Sequence, residues 1–491
     1  MAHSDPADPG TRRSPETQRE AATGRDRRPP ATGRDTWRPR SLAGDRPAYQ
    51  AIADAIAADL AHGRLAPGDR LPTHRALARA LGVTVGTVAR GYTEAERRGL
   101  VGGEVGRGTF VRSGFGVGPA EAGDLVDLAA LHPPAHRIDT LGLLAETLKA
   151  IAADPAALRT VVDTDRGDDA PAHRRAGAAW LAYGGFRPGA DQVTLTAGAQ
   201  HALTAAVSAL VEPGTAVATT VLTNPGLLAA ARQCRLPVVA VPSDDAGMVP
   251  EALAEVCRDG AVSLVHLQPT LDNPTGRVMP AARRAALAEV CARAGVWVVE
   301  DDPLAVLAPD RPDPVAALLP ARTCHVASAA KVLSLGLRVG VLTTPPAARA
   351  RVVAAVRATA WLAAPLLGEV FARWVTDGTA ARVVAARVTA STARHALAAD
   401  LLSPYAVPAA PGAPHLWLAP PEPWTAGQLV AAARQAGVLL SPGDDYAASR
   451  ATPVHGVRLG LNAEVDDDRL RAALLAVVAL LAAGPLPAGL S

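Results

Sequence analysis

Apolar residues recur at helical spacing as soon as the chain passes Arg46-Pro47. Tyr49, Ile52, Ile56 and Leu60 fall on one face, and His62-Gly63 with Pro67-Gly68-Asp69 ends that helix in a turn. Thr73 then offers an N-cap to a short helix carrying Leu77, Ala78 and Leu81. Gly82-Val83-Thr84 makes the next turn, and Thr84 caps a helix through Val88, Tyr92 and Ala95 that stops at Gly99. Two short helices separated by a glycine turn predict a helix-turn-helix. Behind it, Leu100 to Val111 reads as two strands around a glycine tip, Gly106-Arg107-Gly108.

The pattern changes after residue 125. Short apolar runs, Val193–Thr196, Ala216–Val221, Val238–Val241, Ser263–Leu267, Val296–Val299 and Gly340–Thr343, predict strands, with Ala-, Leu- and Arg-rich helical segments between several of them. Such alternation predicts an α/β domain with a mostly parallel sheet. The last long apolar run, Ala472 to Ala483, is shorter than the ~20 residues that span a bilayer and predicts a buried or half-buried helix. Residues 1–45 have hardly an apolar position and are rich in Pro, Gly, Ser, Thr, Arg and Asp, which predicts a disordered basic tail. The resulting division is a tail (1–45), a winged helix-turn-helix (46–114), a Gly/Ala/Pro-rich linker (115–125) and an α/β body (126–491) with a smaller C-terminal α/β subdomain.

Charge separates these parts further. Residues 46–112 hold ten Arg against six acids, the tail holds nine Arg against seven, and the chain as a whole carries +2, so the body is acidic. Positive charge is concentrated at the front, as DNA contact requires. The N-terminus lacks the apolar core of a secretory signal, and Cys234, Cys257, Cys291 and Cys324 show neither CxxC nor zinc spacing. Reduced thiols, a cytoplasmic location and no bound metal are expected.

Several strand ends carry chemistry. Thr196-Ala197-Gly198-Ala199-Gln200 follows a strand and opens a helix, where free N–H groups and the helix dipole hold a phosphate. Leu271-Asp272-Asn273-Pro274-Thr275-Gly276 places an amide on a rigid turn. Glu300-Asp301-Asp302 puts carboxylates at a strand end, suited to a protonated ring nitrogen, and Lys331 follows Ser328 by three residues and precedes Arg338 by seven. Each motif is weak alone; their joint order is specific.

That order resembles a fold-type I aminotransferase. The run LPTHRALARALGVTVGTVARGYTEAERRGLV…GRGTFV resembles the winged helix-turn-helix of GntR-type regulators, and head and body together resemble the MocR subfamily over about residues 46 to 482. The resemblance implies pyridoxal 5'-phosphate as cofactor, with Lys331 as its Schiff-base lysine, Asp301 on the pyridine nitrogen and Asn273 on the phenolic oxygen. Gly198, Ala199, Gln200, Ser328 and Arg338 are implied to hold the phosphate, and Arg458 to grip an amino-acid carboxylate. In the head it implies that Thr84, Val85, Gly86 and Thr87 face the bases of double-stranded operator DNA. Arg75 and Arg90 would meet phosphates or guanines, with Arg107-Gly108 at the minor groove or backbone. Homodimerisation and a small amine or amino-acid effector are implied as well.

The departures concern ring-holding side chains. The family commonly has tyrosine where Leu227 and Pro303 stand, and one reaching in from the partner subunit near Thr164. A regulator is therefore expected. Its alternatives are a working aminotransferase with a DNA-binding head, or a regulator whose body is a cofactor-free dimerisation scaffold.

Overall fold

The computed structural model describes residues 37–39, 47–61, 64–65, 69–97, 100–104, 108–111, 125–133, 138–163, 169–449, 454–463 and 466–485. The chain divides into two compact units, Met1–Ala120 and Glu121–Ser491. Arg107, Thr164, nearly all of the tail and all but Leu125 of the linker lie outside the described residues.

The first unit is built from α1 (Ala48–Ala61), α2 (His74–Leu81), α3 (Val85–Arg97) and the antiparallel pair β1 (Val101–Glu104) and β2 (Gly108–Val111). Thr73 caps α2 by accepting from Ala76 N–H, and Gly82 closes it with φ +67°, a conformation most side chains resist. Thr84 accepts the Thr87 N–H at 3.1 Å and starts α3. Ile52, Ile56, Leu77, Val88, Tyr92 and Ala95, from the helical faces anticipated above, are buried together with Leu71 and Val101, whereas Tyr49 and Leu81 are half-buried. A Cβ on Gly91 would sit 3.0 Å from Ile52 and 3.2 Å from the Tyr49 carbonyl, so glycine lets α1 and α3 pack closely. From within the tail, Trp37 donates its indole N–H to Asp59 at 2.7 Å.

The core of the second unit is a seven-stranded sheet. Its strands are β3 (Val193–Thr196), β4 (Ala216–Thr220), β5 (Val238–Val241), β6 (Val262–Leu267), β7 (Trp297–Asp301), β8 (Thr323–Ser328) and β9 (Gly340–Thr343), in the spatial order β3-β9-β8-β7-β6-β4-β5. All are parallel except β9, which runs antiparallel to both neighbours. Successive residues alternate between two helical layers. Leu264 and Val299 join Leu203, Val207 and Val352 on one face, whereas Val265 and Val298 join Leu253, Leu287 and Cys291 on the other. A four-stranded antiparallel sheet, β10 (Ala406–Val407), β11 (His415–Leu418), β12 (Ser441–Pro442) and β13 (Val457–Gly460), forms the C-terminal subdomain, covered by helices Thr379–Leu402, Ala426–Gln435 and Asp467–Ala483. The last of these contains the apolar run Ala472 to Ala483. Among the described residues no helix is long and apolar enough to cross a membrane.

β8 has no counterpart among the strands read from the sequence. Thr323, His325 and Ser328 break up its apolar positions, yet all six of its residues are buried. β7 extends two residues past the predicted Val299, because Glu300 and Asp301 stay in register with His325 and Val326.

Candidate functional site

The carboxyl ends of β3, β4, β6, β7 and β8, together with the start of β9, meet along one edge of the sheet, where open α/β sheets bind ligands. Gly198 caps helix Ala199–Leu210 with φ +92°, and no described acceptor takes the N–H groups of Ala199 and Gln200. A Cβ on Gly340 would collide with Gly198, Thr196 Oγ1 and Ala199 N, and one on Gly198 would lie 3.0 Å from Arg338 Nη2. Two glycines and an exposed arginine thus leave an open, positive helix terminus, a cradle for a phosphate. The Gln200 side chain donates to the Gly226 carbonyl at 2.9 Å, so its backbone faces the cradle while its amide braces the neighbouring loop.

Asp301 is buried, and its carboxylate is held by three groups that the sequence reading missed. Asn224 Nδ2 at 2.9 Å, Gln268 Nε2 at 3.1 Å and His266 Nε2 at 3.4 Å all reach Oδ2. His266 is in turn linked through Nδ1 to Thr219 Oγ1 at 3.1 Å. No described group donates to Oδ1, which suits a ring N–H. Alternation along the strand turns Asp302 to the opposite face, where it accepts from Thr270 Oγ1 at 3.0 Å and lies near His325. Geometry therefore selects Asp301 over its neighbour.

Lys331 sits on the turn after β8, where its backbone N–H donates to Ser328 Oγ at 3.3 Å. Burial, then the positive charges of Arg458 and Arg338, depress its ammonium to about 8. Its Nζ donates to the Leu131 carbonyl at 3.1 Å. Arg458, on β13, donates through Nη1 to Asn273 Oδ1 at 2.9 Å and through Nη2 to the Ala129 carbonyl, while its Nε is buried without a partner. The ring of Tyr446 lies 5.2 Å from its guanidinium. The structure therefore gathers Gly198, Ala199, Gln200, Asn273, Asp301, Ser328, Lys331, Arg338 and Arg458 at one place. It adds Asn224, His266, Gln268, Tyr446 and the carbonyls of Ala129 and Leu131. Only Asn224 carried a usable signal, beside Pro225-Gly226.

In the first unit, Thr84, Val85 and Gly86 are exposed at the N-terminus of α3 and Thr87 is half-buried behind them. Arg75 and Arg90 are exposed, and the Arg90 guanidinium lies 5.5 Å from the Tyr49 ring. Gly108 opens β2. If Arg90 meets a phosphate, Arg90→Ala weakens binding to all sequences alike and lowers the slope of log K against log salt by about one. An unchanged slope in titrations at several salt concentrations would leave Arg90 only its contact with Tyr49.

Known proteins resolve the two units separately. Residues 48–111 match the model of bacterial regulatory proteins of the gntR family. Residues 167–477 match aminotransferase class I and II. The chain belongs to the aminotransferase class I and II family. Head and body combine as in the MocR-type regulators it resembles. An uncharacterized HTH-type transcriptional regulator of Bacillus subtilis, YdeF, is 24% identical over 91% of this chain and 97% of its own. The vitamin B6 salvage pathway transcriptional repressor PtsJ of Salmonella typhimurium is 27% identical over 85% of this chain and 95% of its own. Among solved structures, an archaeal alanine:glyoxylate aminotransferase matches with a TM-score of 0.68 at 21% identity, over 74% of this chain and 92% of its own. Pyrococcus horikoshii kynurenine aminotransferase matches at 0.67 and 22%, over the same shares. These likenesses establish the fold of the second unit.

Proposed function

We propose that the protein is a cytoplasmic, homodimeric transcriptional regulator. Residues 46–114 bind operator DNA, and the body binds pyridoxal 5'-phosphate to sense an amino acid, an amine or the cofactor itself. The observation that carries this reading is that one chain joins a helix-turn-helix, with Thr84 to Thr87 at its helix terminus, to a depressed lysine facing a phosphate cradle. The full-length likeness to HTH-type regulators, PtsJ among them, supports it.

The residues present fit the cofactor. The cradle at Gly198, Ala199, Gln200, Ser328 and Arg338 suits its phosphate, Oδ1 of Asp301 its ring nitrogen, Asn273 its phenolic oxygen and Lys331 its carbonyl carbon. Bound pyridoxal phosphate supplies an electrophilic carbon that captures primary amines and a ring that withdraws electrons. The chain's own residues do the rest. Lys331 reaches its nucleophilic neutral form near pH 8, where an ordinary lysine would stay protonated. Asn224, Gln268 and His266 fix the Asp301 carboxylate so that it pairs with the ring rather than rotating away. Arg458 offers its buried Nε–H, with Nη2–H beside it, to a carboxylate.

Footprinting on the upstream intergenic DNA, with and without pyridoxal phosphate and a panel of amino acids, tests the proposal. A protected two-half-site sequence whose affinity falls steeply with salt and shifts with ligand is expected. Absence of protection at every salt concentration would reject the regulator.

A further inference from the structure

The two cations that would read cofactor and effector share an unexpected partner. Lys331 Nζ donates to the carbonyl of Leu131 and Arg458 Nη2 to the carbonyl of Ala129, both in the short segment 129–133 at the start of the second unit. That segment is seated by its base. Val126–Asp127 pairs in parallel with Val438–Leu439, Leu128 N–H donates to the Leu439 carbonyl at 3.0 Å, and Gly460 N–H donates to the Leu128 carbonyl at 2.6 Å. Asp127 then turns the chain by accepting the N–H groups of Ala129 and Ala130 at 2.8 and 2.9 Å. Gly460 leaves room for it, since a Cβ there would run into the Ala130 carbonyl oxygen. Leu131 packs against Leu271, Leu304 and Val332.

The Arg458 contact is incomplete in an informative way. Nε–H and Nη2–H lie side by side on a guanidinium and form the fork that takes both oxygens of a carboxylate. Here one tine meets the Ala129 carbonyl and the other, Nε, is buried with no partner, on a side chain only 6% exposed. The Ala129 carbonyl takes only one prong, and a buried, unmatched N–H on a cation is costly. A carboxylate fills both prongs, but it must take Nη2 from Ala129.

We propose that residues 129–133 are a latch that cofactor and carboxylate ligand release by displacing its carbonyls from Lys331 and Arg458. The inference rests on the reading of the site as a pyridoxal-phosphate sensor and adds how occupancy leaves the site. Lys331 as an ammonium has three N–H donors; condensed with the cofactor's carbonyl carbon, with one water released, it keeps at most one. A carboxylate on Arg458 replaces the Ala129 carbonyl with a charged, bidentate partner. The segment lies just beyond Val126 to Leu128, whose pairing with Val438–Leu439 anchors it, so release frees the chain on the far side of that anchor.

Hydrogen exchange of the full-length protein, followed at the amides of Ala129 to His132, tests this, with the visible cofactor band recorded on the same samples. Pyridoxal phosphate is expected to speed exchange there severalfold over the free protein; an α-amino acid, whose amine frees Lys331 as its carboxylate takes Arg458 from Ala129, should keep exchange raised severalfold through the Arg458 contact. Pyridoxal phosphate with propylamine, which has no carboxylate, should give no more than the cofactor alone. Gly460→Ala should give fast exchange without any ligand. Arg458→Gln, which keeps a polar group but loses the fork, should make exchange insensitive to the carboxylate if Gly460→Ala fails to fold. A cofactor band with unchanged exchange would overturn the latch while leaving the sensor intact, and slower exchange would overturn it as well, making the segment a closing lid. Absence of the band would instead strike the reading on which it rests.

Discussion

Lys331→Ala is expected to abolish covalent cofactor capture. The wild-type protein given pyridoxal phosphate should develop a visible band that borohydride removes, leaving a mass adduct on Lys331, and the variant should show neither. Affinity should fall by at least about 100-fold, or ~3 kcal/mol, because the remaining contacts are the noncovalent ones at Gly198, Ser328, Asp301 and Arg338. The fold should survive, since the Lys331 side chain is only half-buried, makes a single hydrogen bond to a carbonyl and leaves no charged partner behind. The pH dependence has a definite sign. The neutral amine is the nucleophile, and with the ammonium depressed to about 8 roughly a tenth of Lys331 is neutral at pH 7, against about one in three thousand for an ordinary lysine. Capture should therefore quicken about tenfold per unit as pH rises toward 8 and level off above it. A rate still climbing at pH 10 would show that the lysine is not depressed, and an adduct elsewhere with none on Lys331 would move the protein to the cofactor-free scaffold.

How far the site could be read beforehand follows from which atoms it uses. β3, β5 and β9 lie where the short runs place them, because each is dominated by Val, Leu or β-branched Thr, residues that favour strands, and β3 and β9 are buried throughout. β8 hides because Thr323, His325 and Ser328 blur its pattern although all six residues are buried. Lys331, Asp301 and Gly198 stand in short motifs at strand ends, where spacing along the chain and proximity in space coincide. His266 and Gln268 lie at the end of a different strand and become relevant only once parallel pairing brings β6 beside β7. The carbonyls of Ala129 and Leu131 are beyond any residue-based reading, since every amino acid has one and only the folded path aims them at Arg458 and Lys331. In the head the reverse holds. Caps, turn glycine and apolar face are all local, so its helices were legible almost to the residue.

Multiple-turnover transamination is expected to be slower than ~1 per second, an ordinary enzyme rate. Turnover needs the cofactor ring held so that the bond to the α-carbon stays aligned with its π-system while Lys331 moves the proton, and a misplacement of about 1 Å can cost ~100-fold. At Leu227 and Pro303 the tyrosines that commonly help fix the ring are replaced. Leu227 is fully buried in the core with Leu203, Val207 and Leu264, so it turns away from a ligand. Pro303 follows Asp302 with neither a hydroxyl nor an aromatic face, and Thr164 lies outside the described residues. Tyr446 does reach the site, but its hydroxyl bonds Ser441 at 2.8 Å and its ring lies against Arg458. What persists is what sensing requires: Lys331 to capture the carbonyl carbon, Asp301 to polarise the ring and Arg458 to bind a carboxylate. None of these demands the rigid ring that repeated proton transfer does. Keto-acid release should be followed over a broad panel of amino acids and acceptors with the cofactor-loaded protein. Sustained release at ~1 per second or faster with any pair would make the working aminotransferase, with its attached DNA-binding head, the better account of this chain.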